Sequence, residues 1–180
     1  TGALAALVFA FLVLRLLTNQ TATGLALTIL GTGLSALMGV KYVGLSVPGF
    51  APLGIPGLSQ LPLVGELFNQ SLPAYLGLFL CIVFGVLLFK SKIGLMVRAV
   101  GESPSVAHSI GYDVLKIRYA MTILGGAMAG FAGAFVALVQ FKAWQEGITG
   151  GMGWIAVALV VFATWHPARL IFGALLFGLM

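Results

Sequence analysis

Long runs of apolar residues without a charge constrain this chain more than any other feature. Residues 24–40, 73–89 and 119–141 carry no Asp, Glu, Lys or Arg. Each is long enough to cross a hydrocarbon core about 30 Å thick as a helix. In lipid, backbone polar groups must pair internally, so spanning segments are helices or strands of a closed barrel. Barrel strands alternate apolar and polar residues over about ten positions, whereas these runs are apolar throughout. The expected fold class is therefore all-α, a polytopic transmembrane helical bundle.

Six spans are expected: residues 1–17, 24–40, 73–89, 119–141, 154–165 and a last one from about residue 170. The interval 41–72 holds Pro48, Pro52, Pro56 and Pro62. It is too broken for one spanning helix and reads as a loop with short helical or re-entrant pieces. The chain begins and stops inside apolar runs, the expectation for a fragment truncated at both ends. Residues 1–180 are expected to form a single transmembrane domain. No basic region precedes the first apolar run, so a signal peptide is not expected. Cys81 is the single cysteine, which excludes an internal disulfide.

Charge supplies the orientation. The net charge is +5, and its distribution between spans fits a positive-inside bias rather than a nucleic-acid surface. With alternating spans, Arg15, Lys90, Lys92, Arg98, Lys116, Arg118 and Arg169 fall on one side, against Lys41 and Lys142 on the other. The first side is expected to be cytoplasmic.

The loop 90–118 is the longest polar interval between apolar runs. A short helix is expected inside it over residues 104–110, with Ser103 as N-cap, Pro104 at the first helical position and Gly111 ending it. Two turns are marginal alone in water. The segment is either a docking element that needs a partner surface or an amphipathic loop lying on the membrane.

Within the fourth span, Gly126 with Gly130, and Ala129 with Gly133, are small residues four apart. That spacing lets helix backbones approach closely in lipid. The GITGGMGW stretch at 147–154 contains no phosphate-loop pattern and follows no strand. It is either a tight turn or a glycine-opened helix N-terminus that presents N–H groups to a solute. Asn19, Gln20, Trp144, Thr149 and Trp154 stand at breaks between spans. Their amides, hydroxyl and aromatic faces suit hydrogen bonding and stacking along a solute path; Asn19 and Gln20 read equally well as interface residues at the end of a link. His108 and His166 lie on different links without clustered ligands, so no metal site is expected. An intramembrane enzyme needs a nucleophile with a base in reach. Ser35 lies in a span but neither histidine does, which disfavours that class.

RAVGESPSVAHSIGYDVLKIRYAMTILGGAMAGFAG at residues 98–133 resembles the cytoplasmic loop and following helix of ABC-importer permeases of the branched-chain amino acid and simple-sugar class. NQTATGLALTILGTGLSALMG at 19–39, IPGLSQLPLVGELF at 55–68 and EGITGGMGWIAVALVVF at 146–162 resemble the nucleoside permeases that work with basic-membrane-protein-type lipoproteins. Two departures stand out: Val106 and His108 replace the usual acidic or amide residue after the turn, and Ala163-Thr164 stands where glycine is common. The resemblance implies a permease subunit of the bacterial inner membrane that moves a nucleoside or related ribose or sugar-type solute inward by alternating access. Branched-chain amino acids or simple sugars are the alternative solutes. It also implies ATP-binding subunits carrying ATP and magnesium, a second permease subunit, an external substrate-binding lipoprotein and surrounding lipid, with no nucleic acid. The loop helix then becomes the ATPase-coupling element, with Arg98, Glu102, Ser103, Pro104, Ser105, Ala107, His108 and Gly111 at the contact. This chain itself is expected to bind no cofactor.

Overall fold

The computed structural model describes residues 1–46, 48–50, 52–54 and 69–178. Among the described residues eight α-helices follow one another: α1 (Gly2–Ala10), α2 (Gln20–Gly39), α3 (Leu72–Lys90), α4 (Lys92–Glu102), α5 (Pro104–Ser109), α6 (Val114–Phe135), α7 (Met152–Phe162) and α8 (Pro167–Gly178). π-helical turns prolong α1 over Phe11–Arg15 and α6 over Val136–Gln140. Apart from isolated bridges, the described strands are one short antiparallel pair, β1 (Pro52–Gly54) with β2 (Asn69–Ser71). The stretch 55–68, part of the expected re-entrant loop, lies outside the described residues.

The chain is a multi-pass helical membrane protein. Three described helical segments are long and apolar enough to cross a bilayer: Gln20–Tyr42, Leu72–Lys90 and Val114–Gln140. Shorter apolar helices stand at the other expected spans: Gly2–Arg15, Met152–Phe162 and Pro167–Gly178. α7 is short, as expected: its 11 residues, at 1.5 Å each, cover about half the hydrocarbon thickness.

Local capping explains where the helices begin. α2 starts at Gln20 because Asn19 Oδ1 accepts from the N–H groups of Thr21 (3.0 Å) and Ala22 (3.1 Å), four residues before the apolar run. α6 starts at Val114, ahead of the expected Tyr119, because Asp113 Oδ1 accepts from the Lys116 N–H at 3.1 Å. Side-chain oxygens satisfy N–H groups that the first helical turn leaves unpaired.

The tightest helix contact joins α1 and α6, which run antiparallel. Gly2 lies against Gly130, and Ala6 against Gly126. A Cβ on Gly130 would sit 3.2 Å from Gly2 Cα, and one on Gly126 would strike the Ala6 methyl. Gly133 has open space beside it, and Ala129 is exposed. One small-residue pair thus faces α1, and the other faces no described part of the chain.

Candidate functional site

The polar interval is more helical than expected. α4 precedes the short helix, and Ser91 organises the corner between α3 and α4. Its Oγ donates to the Leu87 carbonyl at 2.6 Å and accepts from the Gly94 N–H at 3.0 Å, closing one helix and opening the next. Gly94 packs on the Leu87 and Leu88 carbonyls, where no larger residue fits. Ser91 as an N-cap was the sequence signal for α4. Val100, also in α4, is buried.

Ser103 holds the N-cap position of α5 in extended conformation, but its side chain makes no cap bond. Its Oγ lies 3.3 Å from Ser105 Oγ instead. Pro104 opens the helix as expected from its missing N–H. The C-terminus ends one residue earlier than expected, at Ser109, in a Schellman motif. The Gly111 N–H donates to the His108 carbonyl (2.9 Å) and the Tyr112 N–H to the Ala107 carbonyl (3.1 Å), with Gly111 at φ +97°.

The orientation of α5 changes which residues can meet a partner. Ala107 is 1% exposed. It packs into its own chain, so it is not the small residue that enters a groove. Val106 (55% exposed) and Ile110 (68%) stand outward four residues apart, together with exposed Ser105, His108 and Ser109. Val106 and Ile110 form an exposed apolar pair on an otherwise polar segment. Neither residue belongs to the expected contact set, because an apolar side chain in so short a helix reads equally well as core.

Arg98 is placed not on a carboxylate but over the ring of Phe89, its guanidinium carbon 5.0 Å from the centroid. On the same phenyl group rests His166, with ring centroids 4.9 Å apart and planes inclined 38°. Three elements therefore meet at Phe89: α4 through Arg98, the end of α3, and the turn between α7 and α8. In that turn Thr164 (φ +50°) and Trp165 (φ +60°) are left-handed. This is where the sequence has Ala163-Thr164 in place of the common glycine. The Arg169 guanidinium donates to Thr164 Oγ1 at 2.5 Å. Glu102 is exposed at the end of α4. The ion pair at the start of α6, Lys116 Nζ to Asp113 Oδ2 at 3.0 Å, is exposed. Hydrogen bonding from Lys116 holds the Asp113 carboxyl below its usual range.

The residues expected along a solute path divide between two ends of the molecule. Asn19 caps the start of α2, and Gln20 is its exposed first residue. Trp144 lies at the other end, its indole directly against Gly39. The 20 residues of α2 separate them by about 30 Å, so a single small-molecule site cannot contain both. The Thr149 backbone carbonyl accepts from the Met152 N–H at 3.2 Å in the turn before α7. Trp154 is 79% exposed on α7's first turn. Gly151, at φ +80°, precedes α7 without a side-chain cap.

Trp144 alone of these five borders a cavity of about 660 Å³ between α1 and α2. Its walls are mainly aliphatic, with Thr1, Ser35, Tyr42 and Trp144 supplying polar atoms. Isolated bridges from Val43 to Trp144 and from Ser46 to Ala143 hold the segment after α6 over this end of α2. Segments that the charge count assigns to one side thus touch each other: Val43 and Ser46 with residues 143–144, and Phe89 with His166.

All 180 residues match the family model described as a branched-chain amino acid transport system permease component. A putative glucose ABC transporter permease of Haloferax volcanii is 46% identical, over 99% of this chain and 56% of its own length. A guanosine ABC transporter permease of Bacillus subtilis is 31% identical, over 98% of this chain and 58% of its own. A nucleoside ABC transporter permease of Lactococcus lactis is 35% identical, over 69% of this chain and 40% of its own. The chain thus spans little more than half the length of the first two of these relatives. No solved structure matches.

Proposed function

The chain belongs to the branched-chain amino acid transport system permease family, and on that premise we propose that it is part of the membrane permease of an ATP-driven importer in the plasma membrane. The match over all 180 residues carries this reading. The solute is a sugar or a nucleoside, since the relatives covering nearly the whole chain are named for glucose and guanosine. The higher identity to the glucose-named protein makes a sugar the first solute to test. ATP and magnesium belong to a separate ATP-binding subunit. A second permease subunit and an external binding lipoprotein complete the transporter.

α5 is the seat for the ATPase. It lies in the loop 90–118, cytoplasmic by the charge count, and presents Val106 and Ile110 outward. Burying such a pair in a groove of the partner removes apolar surface from water, at about 1.5–3 kcal/mol for each fully covered side chain. The intact subunit should be reconstituted in vesicles with its ATPase, second permease and binding lipoprotein. Uptake of labelled glucose, guanosine or leucine is then measured. ATP-dependent entry of the sugar or the nucleoside is expected. Entry of leucine alone would move the solute to the branched-chain class, and no ATP-dependent entry would sink the importer reading. Ile110→Asp should abolish co-purification of the ATPase while the permease still inserts. Normal co-purification would remove α5 from the interface.

A further inference from the structure

Two features of the face bearing α4 and α5 are left over from the docking surface: the stack on Phe89 and the left-handed turn after α7. The ring of Phe89 holds Arg98 of α4 at 5.0 Å and His166 of the α7–α8 turn at 4.9 Å. Just before His166, Thr164 and Trp165 occupy the left-handed region, which is costly for residues bearing a Cβ and worst for a β-branched one. Strain of this kind persists only where the surroundings hold it. The turn's own backbone holds it first, with the N–H groups of Thr164, Trp165 and His166 donating to the carbonyls of Val161, Val160 and Ala163; Arg169 on Thr164 Oγ1 at 2.5 Å, Pro167 against Gly85 and His166 on Phe89 brace it further. In the right-handed conformation the same two residues would continue α7 and redirect α8. A change between these two conformations would make the turn an element of the type that can carry coupling between sites.

We propose that Arg98, Phe89 and His166 form a relay that converts displacement of α4 and α5 into a switch of the Thr164–Trp165 turn, and so into movement of α8. The relay rests on the reading of α5 as the ATPase seat. Displacement of α4 carries Arg98 across the face of Phe89. Loss or reorientation of that contact frees His166, and the turn relaxes toward the right-handed state. Arg98, Phe89 and His166 act as positioning residues and need touch neither solute nor nucleotide.

The test uses the complete reconstituted transporter and reads solute molecules moved per ATP hydrolysed. His166 is exposed, so His166→Ala leaves no buried cavity. In that variant the ATPase should co-purify and hydrolyse ATP as in the wild type, while solute moved per ATP falls at least fivefold. His166→Phe keeps a ring on Phe89 and should return the ratio to within twofold of the wild type, a rescue that a merely structural role in membrane insertion would not produce. An unchanged ratio in His166→Ala overturns the relay. If His166→Ala fails to assemble, Phe89→Leu decides the matter. It keeps an apolar side chain but removes the ring on which both Arg98 and His166 rest, so the ratio should fall; a wild-type ratio in that variant overturns the proposal. Failure of the underlying reading is distinct, because it appears as normal ATPase co-purification with Ile110→Asp, whatever the ratio.

Discussion

Replacing single glycines of α6 by alanine separates packing against α1 from helix propensity, because the same substitution meets different surroundings at each position. At Gly133 the added methyl enters open space. At Gly126 it lands on the Ala6 methyl and 2.8 Å from the Gly2 carbonyl oxygen. Carbon atoms rest at about 3.5–4.0 Å, so α1 and α6 must separate. In lipid the apolar surroundings supply little force to drive helices together, and the loss falls on van der Waals contact. Overpacking costs about 1–3 kcal/mol, while Gly→Ala within a helix gains up to about 1 kcal/mol. The gain is common to both variants and cancels in their difference. Gly126→Ala should therefore be about 1–3 kcal/mol less stable than Gly133→Ala. Gly130→Ala, whose new methyl would stand 3.2 Å from Gly2 Cα, should fall between them. Reversible unfolding of the purified chain in mixed micelles measures these differences. Ala6→Gly should rescue Gly126→Ala, since it removes the atom struck, and the double-mutant cycle isolates that contact. If Gly126→Ala matches Gly133→Ala in stability, or if Ala6→Gly brings no rescue, the close α1–α6 approach is refuted.

Two further outcomes follow from the placement of charge. In a Cys81→Ser background, a cysteine at Ser105 should react with an impermeant thiol reagent only after the cytoplasmic side is opened, and one at Gln145 in intact cells; the reverse pattern overturns the orientation. The folded-state depression of the Asp113 pKa, caused first by hydrogen bonding to the Lys116 side chain, has a definite sign. Its contribution to stability is full above the unfolded carboxylate range, about pH 4, and is lost as pH falls through the lower folded value. Asp113→Asn keeps a cap acceptor and should remove this part of the acid sensitivity; an acid unfolding profile identical to that of the wild type would show that the cap does not titrate.

Much of the architecture is legible without coordinates. Uncharged runs determine that the chain crosses a membrane as helices, because lipid requires the backbone to pair internally and these runs lack the alternation of barrel strands. The capping residues Asn19, Ser91 and Asp113 are also in the sequence, but reading spans from the apolar runs alone starts α2 and α6 too late and misses α4, because hydropathy does not register local capping chemistry. Pro104 and Gly111 do bracket α5, through a missing donor and a permitted positive φ. Which way each helix faces was decided by tertiary structure. In water an apolar stripe must turn inward, so periodicity reports burial. In lipid an apolar side chain is equally content against a hydrocarbon tail or a neighbouring helix, so the pattern carries little facing information. Nothing in the sequence distinguishes Gly126, pressed on Ala6, from Gly133 beside open space. Nor does it show that Ala107 turns into its own chain while Val106 and Ile110 turn out. Asn19 and Trp144 both sit at span boundaries, yet α2 holds them at opposite ends. Phe89 and His166, 77 positions apart in the chain, meet only because the turn after α7 is brought against the end of α3.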